Sequence, residues 1–212
     1  MVPTTGGERL PALVRALSDD RPPHELVVVD DRVGDAGPLI DGTADIRVVS
    51  SGGRGAAAAR NVGLRATSGE WVVFLDDHAV LTSTWYDDLL LDLERAHRRH
   101  VAVHARIEAS DPETRPASPT GRPASTPTDV AYRRLALVCL GGFEERFPRA
   151  GREDVDVVLR AMRAGWRLAQ GARVSLRDSV PDVWQVPEAP GVLQQLRSHI
   201  AGRARREALS RG

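Results

Sequence analysis

The chain has 212 residues with 29 basic and 29 acidic side chains, so its formal net charge at pH 7 is zero. This length suits one domain with a sizeable core, and the balanced charge creates no overall field that would draw the protein to nucleic acid. The single cysteine, Cys139, excludes an internal disulfide and a cysteine metal cluster, and its apolar surroundings predict a buried side chain. The chain shows no signal-peptide pattern and no apolar stretch near the ~20 residues of a membrane span, which predicts a cytoplasmic protein.

A strand, a helix and a second strand are predicted at the start of the chain. Residues 1–2 predict the stub of a strand, and the apolar spacing within 8–20 predicts an amphipathic helix. The apolar run at 26–29 then predicts a strand buried on both faces, with Asp30 and Asp31 at its carboxyl end. Asp31 could accept hydrogen bonds from a base or a ribose. The alternative is an Asx turn that leads into the next loop.

A glycine-rich turn precedes the next helix. A third strand is predicted at 45–50, and it leads directly into SGGRGAAAARNVGLRATSG. A helix that starts in this way presents unpaired backbone N–H groups and the positive end of its dipole, and Arg54 and Arg60 add positive charge, so the turn is a candidate phosphate site. The spacing matches neither a dinucleotide-binding motif nor a P-loop, and a helix of small residues can equally be one that packs closely on the sheet.

The most informative strand is predicted at 71–75, where the apolar run WVVFL is typical of a strand buried on both faces. It ends in Asp76, Asp77 and His78. Because adjacent carboxylates repel each other, we expect a partner of opposite charge, and a divalent cation with its anionic ligand would suffice. The carboxyl edge of the strands is also where α/β sheets bind ligands. The alternative is a solvated loop whose acids cap the next helix.

The middle of the chain predicts a helix at 85–100, a strand at 101–109 and a proline-rich segment at 110–128. The inward positions of the helix are expected to be Leu89, Leu90 and Leu93. The proline-rich segment has almost no large apolar residue, so it cannot build core and should form a surface loop.

The last third contains a second informative stretch. Glycines at 141–142 break a short helix, and Glu153 and Asp154 stand in the first turn of a longer one. Its core positions are expected to be Val155, Val158, Leu159 and Met162. Acids at a helix start are common caps, so capping is the alternative for Asp154. A last strand or pair of strands follows at 166–176, and 188–212 predicts a basic helix that either touches anionic lipid or a partner, or is simply solvated.

Alternating strands and helices, with acids expected at one rim, favour an α/β sheet that binds a metal and a phosphorylated ligand. At the level of residues, the chain resembles the family 2 glycosyltransferases of GT-A fold. The resemblance rests on VPTTG, ELVVVDD, AARNVGLRATSGEWVVFLDDH and GGFEERFPRAGREDVDVVLRAMRAGWRL, in the family's order and spacing. It implies one domain over 1–212, with a Rossmann-like, mostly parallel central sheet flanked by helices. The nucleotide-sugar half would be 1–108, and the acceptor half 109–187.

The resemblance also implies an inverting transferase that moves a sugar from a UDP- or GDP-type donor to an acceptor hydroxyl. Asp31 matches the family's acid that contacts the base, and Asp154, preceded by Glu153, matches the general base. The residues that would bind the nucleotide sugar are Pro3, Thr4, Asp30, Asp31, Arg54, Arg60, Asn61, Asp76 and Asp77. The residues that would hold a divalent cation are Asp76, Asp77 and His78.

His78 departs from the family, in which Asp is usual at this position. The polypeptide N-acetylgalactosaminyltransferases have a similar Asp-x-His arrangement, and imidazole nitrogen suits transition metals, so Mn²⁺ is predicted over Mg²⁺. Two other functions stay open at this point. A non-catalytic module that binds a nucleotide sugar or a partner is favoured by His78 and the short first strand, whereas the pair of Glu153 and Asp154 favours activity. A nucleotidyltransferase is opposed only by the resemblance.

Overall fold

The structure, a computed structural model, describes residues 1–19, 22–34, 37–40, 46–110, 129–147 and 152–177. Within these ranges the chain forms eight strands and five helices. The strands are β1 (Val2–Thr4), β2 (Leu26–Asp30), β3 (Ile46–Ser50), β4 (Trp71–Leu75), β5 (Val80–Leu81), β6 (His100–Ala109), β7 (Asp129–Arg133) and β8 (Arg167–Arg177). The helices are α1 (Leu10–Ser18), α2 (Ala56–Ala66), α3 (Trp85–Arg95), α4 (Arg134–Cys139) and α5 (Arg152–Arg163).

The strands form two sheets that meet edge to edge. The first sheet has the order β1-β2-β3 and is parallel throughout, while the second has the order β4-β7-β6-β8-β5 and is mixed. The Leu75 N–H donates to the Met1 carbonyl at 3.0 Å, which places β4 alongside β1. The predicted α/β class is confirmed. All of the antiparallel pairing lies in the second sheet, where β7 runs against both of its neighbours.

The side chains of β2 show why the strands are continuously apolar. Val27 and Val29 belong to one core cluster, which also receives α2 and α5, whereas Leu26 and Val28 belong to a second cluster beneath α1 and α3. Successive side chains of a strand point to opposite faces, and both faces here are covered by helices. The predicted burial of this strand on two faces is therefore confirmed.

The helix predicted at 85–100 is shorter than expected. It ends at Arg95, because the backbone becomes extended at Ala96 and His100 then starts β6, paired with Arg167 of β8. Leu90 was expected in the core but is 42% exposed, while Leu89 is buried. The strands β5 and β7 were not predicted, because β5 has only two residues and β7 is a short run with a charged residue at each end.

The buried face of α5 differs from the predicted one. Met162 is 58% exposed, and the other three expected core positions are only half-buried. The helix instead buries its acids, together with Val157 and Ala161. The prediction failed because Arg60 and Arg160 supply the charge that lets this acidic face turn inward. Cys139 is also exposed, contrary to prediction, since it lies on the outer face of the short helix α4.

A fully buried arginine ties the second sheet to α3. Arg173 of β8 pairs with Asp92 of α3 and with Asp129 of β7, each at 2.9 Å. Asp129 also accepts hydrogen bonds from the Trp85 indole at 2.6 Å and the Ser175 hydroxyl at 2.5 Å. Buried ionic groups are tolerated only when their partners are present, so this network depends on every member.

Several predictions fall beyond these elements. The proline-rich segment, from residue 111 on, and the basic segment 188–212 lie outside the described residues, and the contact of the basic segment with lipid stays a prediction. The division into halves at residue 108 also stays a prediction. Among the described residues, no helix combines the length and apolar character that crossing a bilayer requires.

Candidate functional site

The carboxyl ends of β1, β2 and β4 meet at one edge of the sheets. The Asp31 N–H, just after β2, donates to the Thr4 carbonyl at 2.8 Å. The Thr4 hydroxyl donates to Asp77 Oδ2, just after β4, at 2.5 Å. The structure therefore brings together two of the segments whose acids were predicted to reach one rim, with Thr4 at the end of β1 between them.

The acidic motif consists of Asp76, Asp77 and His78, and its middle residue is the best anchored. Asp77 is 6% exposed, with Thr4 on one carboxylate oxygen and the His78 Nε2 3.4 Å from the other. His78 itself is exposed. One ligand atom from each of the three residues lies within 4.8 Å of the others. Two carboxylates and an imidazole in such proximity fit a divalent cation, and the nitrogen donor favours a transition metal over Mg²⁺.

Gly7 supports this motif, although the sequence analysis did not single it out. A methyl group at Gly7 would lie 2.8 Å from Asp77 Oδ2 and 3.3 Å from His78 Cε1. The N–H groups of Gly6 and Gly7 also donate to the Thr4 hydroxyl, at 2.9 and 3.4 Å. The turn after β1 thus holds Thr4 against Asp77. The available signal was the glycine pair in TTGG, which allows such a close approach of backbone to side chain.

The two acids at the end of β2 have different surroundings. Asp30 Oδ1 accepts a hydrogen bond from the Arg32 backbone N–H at 2.9 Å, and the Arg32 guanidinium donates to both carboxylate oxygens. These side-chain hydrogen bonds hold the pKa of Asp30 below its usual value. Asp31 Oδ1 instead accepts from the Ser51 hydroxyl at 2.6 Å and the Gly55 N–H at 3.2 Å. The Asx-type turn considered for Asp31 therefore belongs to Asp30, and Asp31 reaches the start of α2. Pro3 is half-buried in β1, in register with Val29.

The glycine-rich turn is tied to the segment that follows α4. Arg54 donates to the Ser51 carbonyl at 2.8 Å and lies 3.6 Å from Glu145 Oε2. The Asn61 amide donates to Glu145 and to the Phe143 carbonyl, each at 2.8 Å, and accepts the Phe143 N–H at 2.9 Å. Asn61 was predicted to bind the nucleotide sugar. In the structure its amide connects α2 with the segment that follows α4.

Arg60 lies with the acids of α5. Its Nη1 is 2.7 Å from Glu153 Oε1 and 3.5 Å from Asp154 Oδ1, and its guanidinium lies 5.5 Å from the centre of the Phe143 ring. Glu153 and Asp154 are almost fully buried, and neither Asp154 oxygen has a hydrogen-bond partner among the described residues. Burial raises the pKa of Asp154 to about 7, an effect that Arg60 opposes and Glu153 reinforces.

Helix α2 connects the two parts of the site. Gly55, just before its first residue, contacts Asp31 at the sheet edge, and Arg60 contacts Asp154. Five residues of helix correspond to roughly 8 Å along its axis. One helix therefore contacts both the sheet edge and the buried acids, at positions about one and a half turns apart.

The chain was compared with known proteins. The model of the family described as Glycosyl transferase family 2 matches residues 2–143. A curated relative, the pre-mycofactocin glycosyltransferase of Mycobacterium tuberculosis, is 29% identical over 186 residues. That alignment covers 72% of this chain and 38% of the relative, so the chain spans well under half of the relative's length.

Three solved structures of similar fold contain a nucleotide or a nucleotide sugar. The mannosyltransferase PcManGT of Pyrobaculum calidifontis, solved with GDP-Man and Mn²⁺, has a TM-score of 0.62 at 23% identity, covering 86% of this chain and 57% of its own. The glucosyl-3-phosphoglycerate synthase of Mycobacterium tuberculosis, solved with Mn²⁺, UDP and phosphoglyceric acid, gives 0.59 at 19%, covering 85% and 70%. TarS of S. aureus, solved with UDP-GlcNAc, gives 0.57 at 19%, covering 84% and 55%. At these identities the likeness shows the GT-A fold alone.

Proposed function

The chain belongs to glycosyl transferase family 2, and from this premise we propose that it transfers a sugar from a nucleotide-diphosphate donor to an acceptor hydroxyl, with inversion and with a divalent cation. The observation that carries the proposal is the acidic motif at the carboxyl end of β4, held by Thr4 beside Asp31. This edge is where an α/β sheet binds its ligand. The motif offers oxygen and nitrogen atoms that could coordinate a metal ion, and that ion could in turn bind a diphosphate.

The donor-side roles follow from the placement of each acid. Asp31 would accept hydrogen bonds from the nucleoside, since it lies at the open edge of the sheet. Asp76, Asp77 and His78 would hold the cation, which supplies positive charge against the departing diphosphate. The similar structures contain GDP-Man, UDP or UDP-GlcNAc, and either Mn²⁺ or Mg²⁺ where a metal is present, which supports a UDP- or GDP-type donor and a divalent cation.

Asp154 would act as the general base. It would take the proton of the acceptor hydroxyl while the acceptor oxygen bonds to the anomeric carbon, and the electron pair of the breaking bond would leave with the diphosphate. One such displacement inverts the anomeric configuration. Burial suits the role, because the raised pKa of Asp154 brings its basicity close to neutral pH.

A binding module without turnover is the second candidate function. The observation that favours it is the enclosure of Asp154, which is 4% exposed and therefore offers little access to an acceptor. Such a module would bind the nucleotide sugar at the sheet edge and leave it intact.

The test is a panel of UDP- and GDP-sugars incubated with the protein, Mn²⁺ and a mixture of glycan acceptors, with release of nucleoside diphosphate as the readout. The proposal expects release from at least one donor, and release that is slower by ~10²–10⁴ when Asp154→Asn replaces the parent. Binding of a donor without release from any of them would establish the second candidate instead.

We predict that His78→Asp shifts the metal preference from Mn²⁺ towards Mg²⁺. Carboxylate oxygen suits Mg²⁺, whereas imidazole nitrogen suits transition metals. The measurement is a calorimetric titration of the parent and the variant with each ion in the presence of a nucleoside diphosphate. The control is His24→Asp, an exposed histidine near the amino end of β2, at the opposite end of the strand from the site. If both variants keep the parent's preference, His78 is not a ligand.

A further inference from the structure

Arg60 is enclosed within the protein. Its side chain is 12% exposed, and it reaches from α2 to the first turn of α5, where it contacts Glu153 at 2.7 Å and Asp154 at 3.5 Å. The Phe143 ring lies against its guanidinium. This placement differs from the predicted contact with the donor's phosphate, because the positive charge is directed at two buried carboxylates.

The charges around Asp154 make Arg60 its principal counter-ion. Glu153 is adjacent on α5, and the Tyr132 phenol, on β7, stays neutral because burial and Asp154 both raise its pKa. Arg160, one turn or more along α5, is committed to Asp156 at 2.7 Å and to the carbonyls of the turn after α4. Among the described residues, Arg60 is therefore the one cation in an ion pair with Asp154.

Two buried carboxylates without a counter-ion would not both remain ionised. Like charges in contact and poor solvation each favour protonation, so Asp154 would take up a proton if Arg60 were absent. A protonated Asp154 could not accept the acceptor's proton. Asp154 can therefore act as a general base only while a nearby cation keeps its carboxylate ionised.

We propose that Arg60 is a positioning residue, which keeps Asp154 ionised and fixed for the acceptor hydroxyl and does not bind the donor's diphosphate. This inference rests on the proposed function of Asp154. It assigns to α2 a role on the acceptor side, in addition to the contact of its start with Asp31 on the donor side.

The test compares Arg60→Met and Arg60→Lys with the parent. The Asp154 carboxyl is titrated by ¹³C NMR, with its resonance assigned from Asp154→Asn, and the affinity for a nucleoside diphosphate with Mn²⁺ is measured in parallel. We expect a parent midpoint near 7. Arg60→Met should raise it, Arg60→Lys should restore it in large part, and nucleotide affinity should change less than about twofold. The control Arg65→Met, at an exposed position of the same helix, should leave the titration unchanged.

The pH profile of transfer gives a second readout. If the Asp154 midpoint rises by one pH unit, the ionised fraction of Asp154 falls by up to about tenfold at pH values below the midpoint. The acid limb of the kcat/KM profile should therefore move to higher pH in Arg60→Met. An unaltered Asp154 titration, or a large loss of nucleotide affinity with a normal titration, would overturn the proposal. The NMR titration needs no turnover. A shifted midpoint in a protein that transfers no sugar would therefore uphold the ion pair while the proposed function fails.

Discussion

Replacing Asp154 by asparagine is expected to lower the rate of sugar transfer by ~10²–10⁴ and to leave donor binding nearly intact. The amide keeps the shape of the side chain but cannot take the acceptor's proton. The variant should also fold. In the native state burial raises the Asp154 pKa to about 7, well above its ordinary value of 3.8, so ionisation of this group costs stability as the pH rises through that interval. Asparagine carries no such cost.

The control for Asp154→Asn is Asp88→Asn. Both acids lie in the first turn of a helix, α5 and α3 respectively, but Asp88 is half-buried, accepts a hydrogen bond from the Thr84 hydroxyl and is not one of the predicted site residues. If Asp154 served only to stabilise its helix end, the two variants would transfer sugar at the same rate. Initial rates at saturating donor, measured for both variants, distinguish a base from a helix cap.

Arg173→Met is expected to be the most destabilising substitution in the fold, at about 3–5 kcal/mol. Methionine fills much of the volume but leaves Asp92 and Asp129 buried without their shared cation. For a chain of this size that loss corresponds to a fall of roughly 6–20 °C in the midpoint of thermal unfolding. Urea denaturation followed by far-UV circular dichroism gives the free energy of unfolding.

The matched control is Arg167→Met in the same strand. Arg167 is exposed at the start of β8, and surface substitutions of this kind usually change stability by no more than about 0.5 kcal/mol. Equal stability of the two variants would mean that the buried acids are neutralised in another way and that the network contributes nothing specific.

The strands that carry the site could be predicted from the sequence because their signal is local. The run WVVFL matches β4 residue for residue, and the start of the acidic motif follows directly from where that run ends. The strand predicted at 26–29 ends one residue short of β2 (Leu26–Asp30), and Asp31 follows directly. In both cases an apolar segment covered on two faces leaves a continuous pattern, and the first polar residues mark the edge of the sheet.

The roles of long side chains could not be predicted, because they depend on contacts between distant segments. Arg60 and Asn61 follow a turn that was predicted to bind phosphate, yet their side chains contact Glu153 and Phe143, more than 80 residues away. The acids of α5 were not among its expected core positions for the same reason. Its burial is permitted by arginines that no local pattern connects with it.

Small backbone features were missed for a different reason. A glycine is needed at position 7 because Asp77 lies close to its backbone, and β5 is a strand because it pairs with β8. Both features depend on a partner that is distant in the sequence. A glycine pair shows only that a close approach is possible and not which side chain makes it, and a two-residue strand has no distinctive pattern by itself.

Thermal unfolding in the presence of nucleotides tests metal-assisted donor binding most directly. A ligand that binds only the native state stabilises it, by about 2.7 kcal/mol at a hundredfold excess over Kd. We predict that at least one nucleoside diphosphate raises the unfolding midpoint more with Mn²⁺ than without it, and that Asp77→Asn abolishes this difference, since Asp77 is the anchored centre of the motif. Equal shifts with and without Mn²⁺ for every nucleoside diphosphate would contradict a metal-assisted donor site at the end of β4.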